Sequence, residues 1–134
     1  MKKVLFLFSL LLVCGGVFAS DVYKLQATSV AFKSVDEYGN WDSWSEWEDC
    51  NILVVVNFPN DRINIYSSTP QEYDVYEYEE QTTDGEGGPI QTFKCIDASG
   101  TRCDLRLRVQ ADKQMQLYID YLDVTIVYNI EHKQ

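Results

Sequence analysis

The sequence lacks the residues that most catalytic devices require. Its single histidine, His132, lies close to the C-terminus, where chains usually fray, so a Ser-His-Asp or Cys-His arrangement has no well-placed base. No G-x-S-x-G segment and no glycine-rich phosphate loop occurs. A glycosidase needs only two carboxylates, but with 21 acidic residues the sequence does not identify which two would form such a pair. We therefore predict a protein that is not an enzyme, with no catalytic residues and no cofactor.

Metal-site patterns and basic residues are also scarce. Three cysteines and one histidine beyond the first segment do not offer the four regularly spaced ligands of a structural zinc site. No D-x-D-x-D-G loop of the kind that binds calcium occurs in the acidic stretches. Without Lys2 and Lys3, nine basic residues stand against 21 acidic ones, a formal net charge of −12. Such a surface repels nucleic acid and anionic lipid, so we predict neither a metal nor a nucleic-acid partner.

The first segment has the layout of a secretory signal peptide. Lys2 and Lys3 precede the apolar run Val4–Val13, which is too short to span a bilayer. In Val17-Phe18-Ala19, small residues occupy the two positions that a signal peptidase inspects, so residues 1–19 are predicted to be removed. The sequence therefore predicts a protein exported to the periplasm or secreted.

Residues 20–134 are long enough for one hydrophobic core and too short for two. They contain no second apolar run of transmembrane length. The alternative to a soluble exported chain is lipid anchoring through Cys14, although Val13 stands where a lipoprotein signal has Gly, Ala or Ser. We predict a single domain, monomeric and without a membrane span.

Apolar and polar residues alternate along most of this domain, which is the pattern of half-buried strands. In Cys103–Val109, Leu105 and Leu107 share one face while Arg106 and Arg108 share the other. Short turns rich in Pro, Asn, Asp and Gly separate the runs. The sequence predicts an all-β fold of about eight strands, either a single antiparallel up-and-down barrel or a two-sheet sandwich. The clearest runs are Val22–Phe32, Ile52–Phe58, Arg62–Ser67, Glu72–Glu80, Cys103–Val109, Gln114–Tyr121 and Val124–Ile130.

Two cysteines flank a predicted hairpin turn. Cys95 and Cys103 lie symmetrically about a turn that ends at Gly100, so they fall opposite each other on one face. In an oxidising exterior, we predict that they form a disulfide. The pair is predicted to be of the hydrogen-bonded type, whose wider spacing suits a disulfide less well. The alternative is two buried thiols that pack as small hydrophobic groups, and Cys50 is left unpaired in either case.

Aromatic residues form two candidate surfaces. Trp41, Trp44 and Trp47 recur at every third residue, and they either cap the core or form a platform for a sugar ring or an apolar ligand. The two-residue period of a strand would split the rings between core and surface. We expect Trp47 to be buried and Trp41 to be the most exposed. With Trp41 and Trp44, the strand residues Tyr76 and Tyr78 are our candidates for a ligand or partner surface.

Several segments resemble a group of small exported proteins of Gram-negative gut bacteria to which no activity is assigned. The resemblance is carried by Trp44–Trp47, Asn60–Ser67, Phe93–Asp97, Gly100, Cys103, Gln116–Tyr121 and Val127–Asn129. It implies an exported protein and transfers no site. In strand count and connection, the chain is also similar in architecture to lipocalin-type barrels, a likeness of fold that does not imply function.

The sequence is compatible with three functions. The leading one is a binding module for a small or apolar ligand, since a barrel of about eight strands can hold one ligand. The alternative is a protein-interaction domain that uses an edge strand or the Tyr- and Trp-rich surface. A carbohydrate-active enzyme built on two acids is the least favoured.

Overall fold

The computed structural model describes residues 22–86, 88–110 and 114–132. The predicted signal peptide, residues 1–19, and the lipid-anchor candidate Cys14 lie outside these ranges. Within them, no helix combines the length and the apolar composition needed to cross a membrane.

The described chain is almost entirely β-structure, because side chains that alternate between apolar and polar suit a sheet with one buried face. A short 3₁₀ helix, Phe58–Asn60, links two of its strands. The strands are β1 (Val22–Ser34), β2 (Glu48–Asn57), β3 (Arg62–Ile65), β4 (Gln71–Tyr78), β5 (Thr82–Thr83), β6 (Pro89–Asp97), β7 (Arg102–Val109), β8 (Met115–Asp120) and β9 (Val124–His132).

Eight of these strands close into one antiparallel barrel. Chain neighbours pair from β1 to β4 and from β6 to β9. The ring is completed by pairing of β1 with β9 and of β4 with β6. The short strand β5 pairs with the start of β6 and lies outside the ring. The predicted all-β fold is confirmed, and of the two predicted architectures the chain adopts the barrel.

Inward-facing side chains from all eight barrel strands form one contiguous apolar cluster. On β7, Leu105 and Leu107 have exposures of 0% and 1%, whereas Arg106 and Arg108 point outward. The predicted orientation of this strand is therefore confirmed. The buried members of the cluster are Tyr23, Leu25, Ala27, Val54, Val56, Ile63, Ile65, Tyr73, Val75, Phe93, Cys95, Cys103, Leu105, Leu107, Met115, Leu117, Ile119, Tyr128 and Ile130.

The two ends of the barrel differ. At the end where β1 begins, which we name the plug end, the Phe58 ring centroid lies 5.7 Å from that of Tyr23, 6.0 Å from Tyr78 and 6.4 Å from Phe93. Aromatic rings therefore pack together across this end. The opposite end, which we name the loop end, carries the connections 35–47, 66–70, 98–101 and 121–123.

Candidate functional site

Exposed hydrophobic side chains are concentrated at the loop end of the barrel. Nine large hydrophobic side chains are exposed among the described residues, and seven of them belong to this end. The seven are Phe32, Tyr38, Trp41, Trp44, Trp47, Tyr66 and Leu122. The other two are Val22, at the plug end, and Tyr76, on the wall of the barrel. Single exposed hydrophobic residues are common, but a concentration of them is typical of a binding surface.

The loop between β1 and β2 is fixed along the side of β1. The pairing of β2 with β1 extends only to Val30. The loop, and not β2, therefore lies beside the last residues of β1. The Asp42 N–H donates to the Ser34 carbonyl at 2.9 Å, and the Ser45 N–H donates to the Phe32 carbonyl at 2.8 Å. The Ser45 hydroxyl accepts in return from the Phe32 N–H at 2.9 Å. These bonds hold the backbone on both sides of Trp44.

Lys33 lies against two of the exposed indole rings. Its ammonium nitrogen is 4.7 Å from the Trp44 ring centroid and 5.5 Å from the Trp41 ring centroid. Both distances lie within the range in which a cation is attracted to the face of an aromatic ring. Trp41 and Trp44 nevertheless keep 46% and 42% of their surface exposed. We name Lys33, Trp41, Trp44 and the neighbouring Tyr118 the Trp cluster.

Tyr118 extends the Trp cluster across the barrel wall onto β8. Its ring meets the Trp44 ring edge-on, with centroids 6.3 Å apart. The Arg106 guanidinium lies 4.4 Å from the Tyr118 ring centroid and forms an ion pair with Asp120. Aromatic rings and cations therefore alternate along this part of the outer wall.

Two small outward-facing side chains lie beneath the Trp cluster. Ala31 on β1 and Val127 on β9 are cross-strand partners, and each has only 2% exposure. Tyr118 is the partner of Val127 on the next strand. Outward positions of a barrel normally contact water, so we infer that the Tyr118 and Trp44 rings cover these two residues.

A chain of side-chain hydrogen bonds orients Tyr118. Its hydroxyl donates to Gln116 Oε1 at 2.8 Å, and Gln116 Nε2 donates to Asn129 Oδ1 at 3.1 Å. Asn129 Nδ2 then donates to the Ser29 hydroxyl at 2.8 Å. The chain crosses β8, β9 and β1, so it holds the outer faces of three strands in one arrangement.

The interior of the loop end is lined by phenol groups. Tyr73 donates to Gln71 Oε1 at 2.6 Å, Gln71 Nε2 donates to the Tyr128 hydroxyl at 3.3 Å, and Tyr121 donates to Asp97 Oδ2 at 2.8 Å. Burial is the main cause that raises the pKa of all three tyrosines above the ordinary value. They therefore stay neutral at physiological pH and act as hydrogen-bonding groups only.

Asp97 organises the β6–β7 hairpin at the loop end. Its carboxylate accepts hydrogen bonds from the Ser99 hydroxyl at 2.7 Å, the Ser99 N–H at 2.9 Å and the Thr101 N–H at 2.9 Å. The Ser99 hydroxyl, the Thr101 N–H and the Tyr121 hydroxyl together lower the pKa of Asp97 to about 2. Gly100 has a φ of 88°, a left-handed conformation that glycine adopts without strain. The predicted hairpin turn that ends at Gly100 is confirmed.

Cys95 and Cys103 are cross-strand partners, which is the placement that the sequence predicts. Both are buried, and both are free thiols in this structure, so the disulfide stays a prediction. Burial raises the pKa of Cys103 to about 11 and that of Cys95 further, so neither is a reactive thiolate at neutral pH. Cys50 is a half-buried free thiol that packs against the core.

The four residues predicted to form a ligand or partner surface lie in two separate places. Trp41 and Trp44 meet at Lys33, beside β1. Tyr76 and Tyr78 belong to β4, which is three strands away from β1 around the barrel. The structure therefore brings the two Trp residues together and keeps the two Tyr residues apart from them.

The two tyrosines of β4 also differ from each other. Tyr78 is half-buried: its ring centroid lies 5.8 Å from that of Phe93, and its hydroxyl donates to Asp61 at 2.5 Å. Tyr76 is 49% exposed, with the Arg102 guanidinium 5.7 Å from its ring centroid. Tyr78 thus belongs to the plug-end packing, and Tyr76 is the one available to a partner.

The prediction that Trp47 is buried is wrong. Trp47 has an exposure of 48%, slightly above the 46% of Trp41, so the prediction that Trp41 is the most exposed of the three is also wrong. The three rings do not divide between core and surface, since Trp44 is exposed as well. The physical reason is that residues 41–47 precede β2 and form an irregular loop, to which the two-residue period of a strand does not apply.

Lys33 and Tyr118 complete the Trp cluster but were not among the predicted site residues. The alternation in Gln114–Tyr121 correctly turns Tyr118 outward, and an outward-facing aromatic residue is the signal that pointed to it. Lys33 carries no such signal, because a lysine at an outward strand position is the ordinary case.

Metal binding and similarity to known proteins give no further lead. Across the ranges that the structure describes, no three His, Cys, Asp or Glu side chains converge to hold a metal ion. No protein-family model matches this chain, and comparisons with curated proteins and with solved structures find nothing significantly similar. The function must therefore be inferred from the site itself.

Proposed function

We propose that this protein is a non-enzymatic module that binds a small ligand with an apolar face at the loop end of the barrel, through the Trp cluster. The observation that carries the proposal is that seven of the nine exposed large hydrophobic side chains lie at this end. Loops held at one end of a rigid scaffold are a common place for binding residues. Export, directed by residues 1–19 as a signal peptide, is part of the proposal.

The packing of the interior favours a site on the wall and rim of the barrel. Phe93, Leu105 and Ile119, among others, are fully buried along the barrel interior. An eight-stranded barrel is just wide enough for its own side chains to fill. We therefore place the ligand against the exposed Trp41 and Trp44 rings and not deep between the strands.

A protein-interaction domain is the second candidate, and Tyr76 is the observation in its favour. This side chain is 49% exposed on β4, away from the loop end, and Arg102 lies against its ring. Tyr and Arg are enriched at protein interfaces. Addition of a partner strand has less support, since closure pairs the eight barrel strands with each other and β5 is two residues long.

Native mass spectrometry of the protein purified from the cells that naturally produce it tests the proposal. We expect the wild-type protein to carry an adduct of small-molecule mass. The adduct should be lost when Trp41 and Trp44 are both replaced by Ala, because the two exposed rings then disappear. Tyr76→Ala is the control: it removes an aromatic ring of similar exposure from β4, away from the Trp cluster, and it should retain the adduct.

Circular dichroism and thermal unfolding of each variant show whether it is folded. An adduct that persists in the folded double variant, or a wild-type protein that carries none, would contradict the proposal. If the wild-type protein carries a bound protein that is lost only in the Tyr76→Ala variant, the result would favour the second candidate.

A further inference from the structure

We infer that the Trp cluster recognises an acidic sugar, with a pyranose ring packed on the exposed indole of Trp41 or Trp44 and its carboxylate bound by the Lys33 ammonium. This inference rests on the proposed function and names the ligand class. Three features of the cluster carry it: an unpaired cation, two exposed flat rings and a rigid base.

Among the described residues, Lys33 forms no ion pair with a carboxylate, unlike most of the cations there. It contacts the Trp41 and Trp44 rings instead. The whole chain has 21 acidic and 11 basic residues, so carboxylates are abundant and an unpaired cation is available to a ligand anion. The cations that do have carboxylate partners are Arg62, Lys94, Arg106 and Arg108.

The indole rings supply the second half of the recognition. Trp41 and Trp44 keep 46% and 42% exposure although Lys33 covers part of each ring. The face of a pyranose ring is lined by C–H groups, so it packs flat on indole while its hydroxyl groups remain in water. The exposed indole rings beside the polar Lys33 ammonium therefore match the amphipathic character of a sugar.

The cluster is held in place before any ligand arrives. The backbone bonds of Asp42 and Ser45 fix the loop, and the edge contact with Tyr118 at 6.3 Å fixes the Trp44 ring. Tyr118 is oriented in turn by its hydrogen bond to Gln116. A rigid surface loses little conformational entropy on binding, which favours a ligand that offers little apolar contact area, such as a sugar.

The net charge of the chain argues against a polyanionic ligand. Lys33 is one cation on a chain whose formal net charge is −10. A polyanion such as a nucleic acid would be repelled by the rest of this surface. A single carboxylate can be bound by Lys33 through a charge-assisted hydrogen bond.

The three tryptophans allow a direct test by NMR of the isotopically labelled protein, in which each indole N–H gives one signal. The signals are assigned by replacing each Trp in turn with Phe. The probes are sialyllactose and cellobiouronic acid, and their neutral counterparts are lactose and cellobiose. We expect the acidic sugars to shift the Trp41 and Trp44 signals, to leave the Trp47 signal in place, and to bind more tightly than the neutral sugars.

Variants of the β1 lysines identify the charge that matters. Lys33→Gln should weaken binding of the acidic sugars about tenfold and abolish their advantage over the neutral ones, since a charge-assisted hydrogen bond is lost. Lys33→Arg should retain the advantage. Lys24→Gln removes an exposed lysine from the plug end of the same strand, and it should bind like the wild type.

The possible outcomes separate this inference from the proposed function. Equal binding of acidic and neutral sugars at Trp41 and Trp44 would overturn the acidic-sugar inference and leave the binding module standing. Absence of any shift with both acidic sugars would also overturn the inference, while the adduct measured by native mass spectrometry decides the proposed function independently.

Discussion

Cys95 and Cys103 face each other as direct partners in the β6–β7 ladder, and both side chains point into the core. Two positions further along the ladder, beyond the pair Ile96–Arg102, the Asp97 N–H donates to the Thr101 carbonyl at 2.9 Å. Since pair types alternate along an antiparallel ladder, the cysteines form a hydrogen-bonded pair with Cα atoms about 5.5 Å apart. This spacing lies inside the range that a disulfide accepts.

We predict that Cys95 and Cys103 form a disulfide when the protein matures in an oxidising compartment, and that Cys50 pairs with neither. The bond closes a short loop, which stabilises the fold by roughly 2–3 kcal/mol. Peptide mapping without reductant should recover the two cysteines in one linked peptide. The variant Cys50→Ser should give the same map. Separately alkylated Cys95 and Cys103 from exported protein would show that the pair remains as buried thiols.

Leu107→Ala should destabilise the fold far more than Arg106→Ala. Leu107 is 1% exposed in the barrel core, so its truncation leaves a cavity and costs about 2–5 kcal/mol. Arg106 points outward and its pair with Asp120 is partly exposed, so its loss costs under about 1 kcal/mol. Urea titration of both variants measures the difference. Equal losses would contradict the assignment of the two faces of β7.

Asp97→Asn should reduce the acid sensitivity of the fold. Hydrogen bonds from Ser99, Thr101 and Tyr121 lower the folded pKa of Asp97 to about 2, below the value of roughly 3.9 for an unfolded Asp. Because the folded pKa is the lower one, the stabilisation is fully present above about pH 4 and is lost as the pH falls toward about 2. Urea unfolding across this window should show a shallower loss of stability in the variant. Identical slopes for both proteins would rule out this contribution.

The alternation of apolar and polar residues was enough to predict the strands and their buried faces, because burial of one face is its single physical cause. Alternation along β7 placed Leu105 and Arg106 on opposite faces because burial of one face leaves no other register. The same alternation fits both a closed barrel and a two-sheet sandwich, because closure depends on the pairing of β4 with β6, which neither strand encodes alone.

The candidate site was only partly predictable, for a related reason. Trp41 and Trp44 were identified by residue type, but Lys33 and Tyr118 join them through contacts between separate strands. Trp47 is predicted to be buried because it is the nearest of the three to the apolar run Ile52–Phe58, but it lies in a loop whose backbone is set by hydrogen bonds from Ser45 to β1. The geometry of the site depends on tertiary contacts, which cannot be predicted from the alternation of residues along one strand.

The arrangement around Lys33 makes a final prediction about tryptophan fluorescence. Trp41, Trp44 and Trp47 have exposures between 42% and 48%, so iodide should quench all of the emission and leave no shielded fraction. The Lys33 ammonium lies close to two of the rings and attracts iodide to them. Lys33→Gln should therefore lower quenching by iodide but leave quenching by neutral acrylamide unchanged. Trp47→Phe should preserve this charge effect, whereas Trp44→Phe should diminish it. A shielded fraction, or equal iodide quenching with and without Lys33, would contradict an exposed cluster built around this cation.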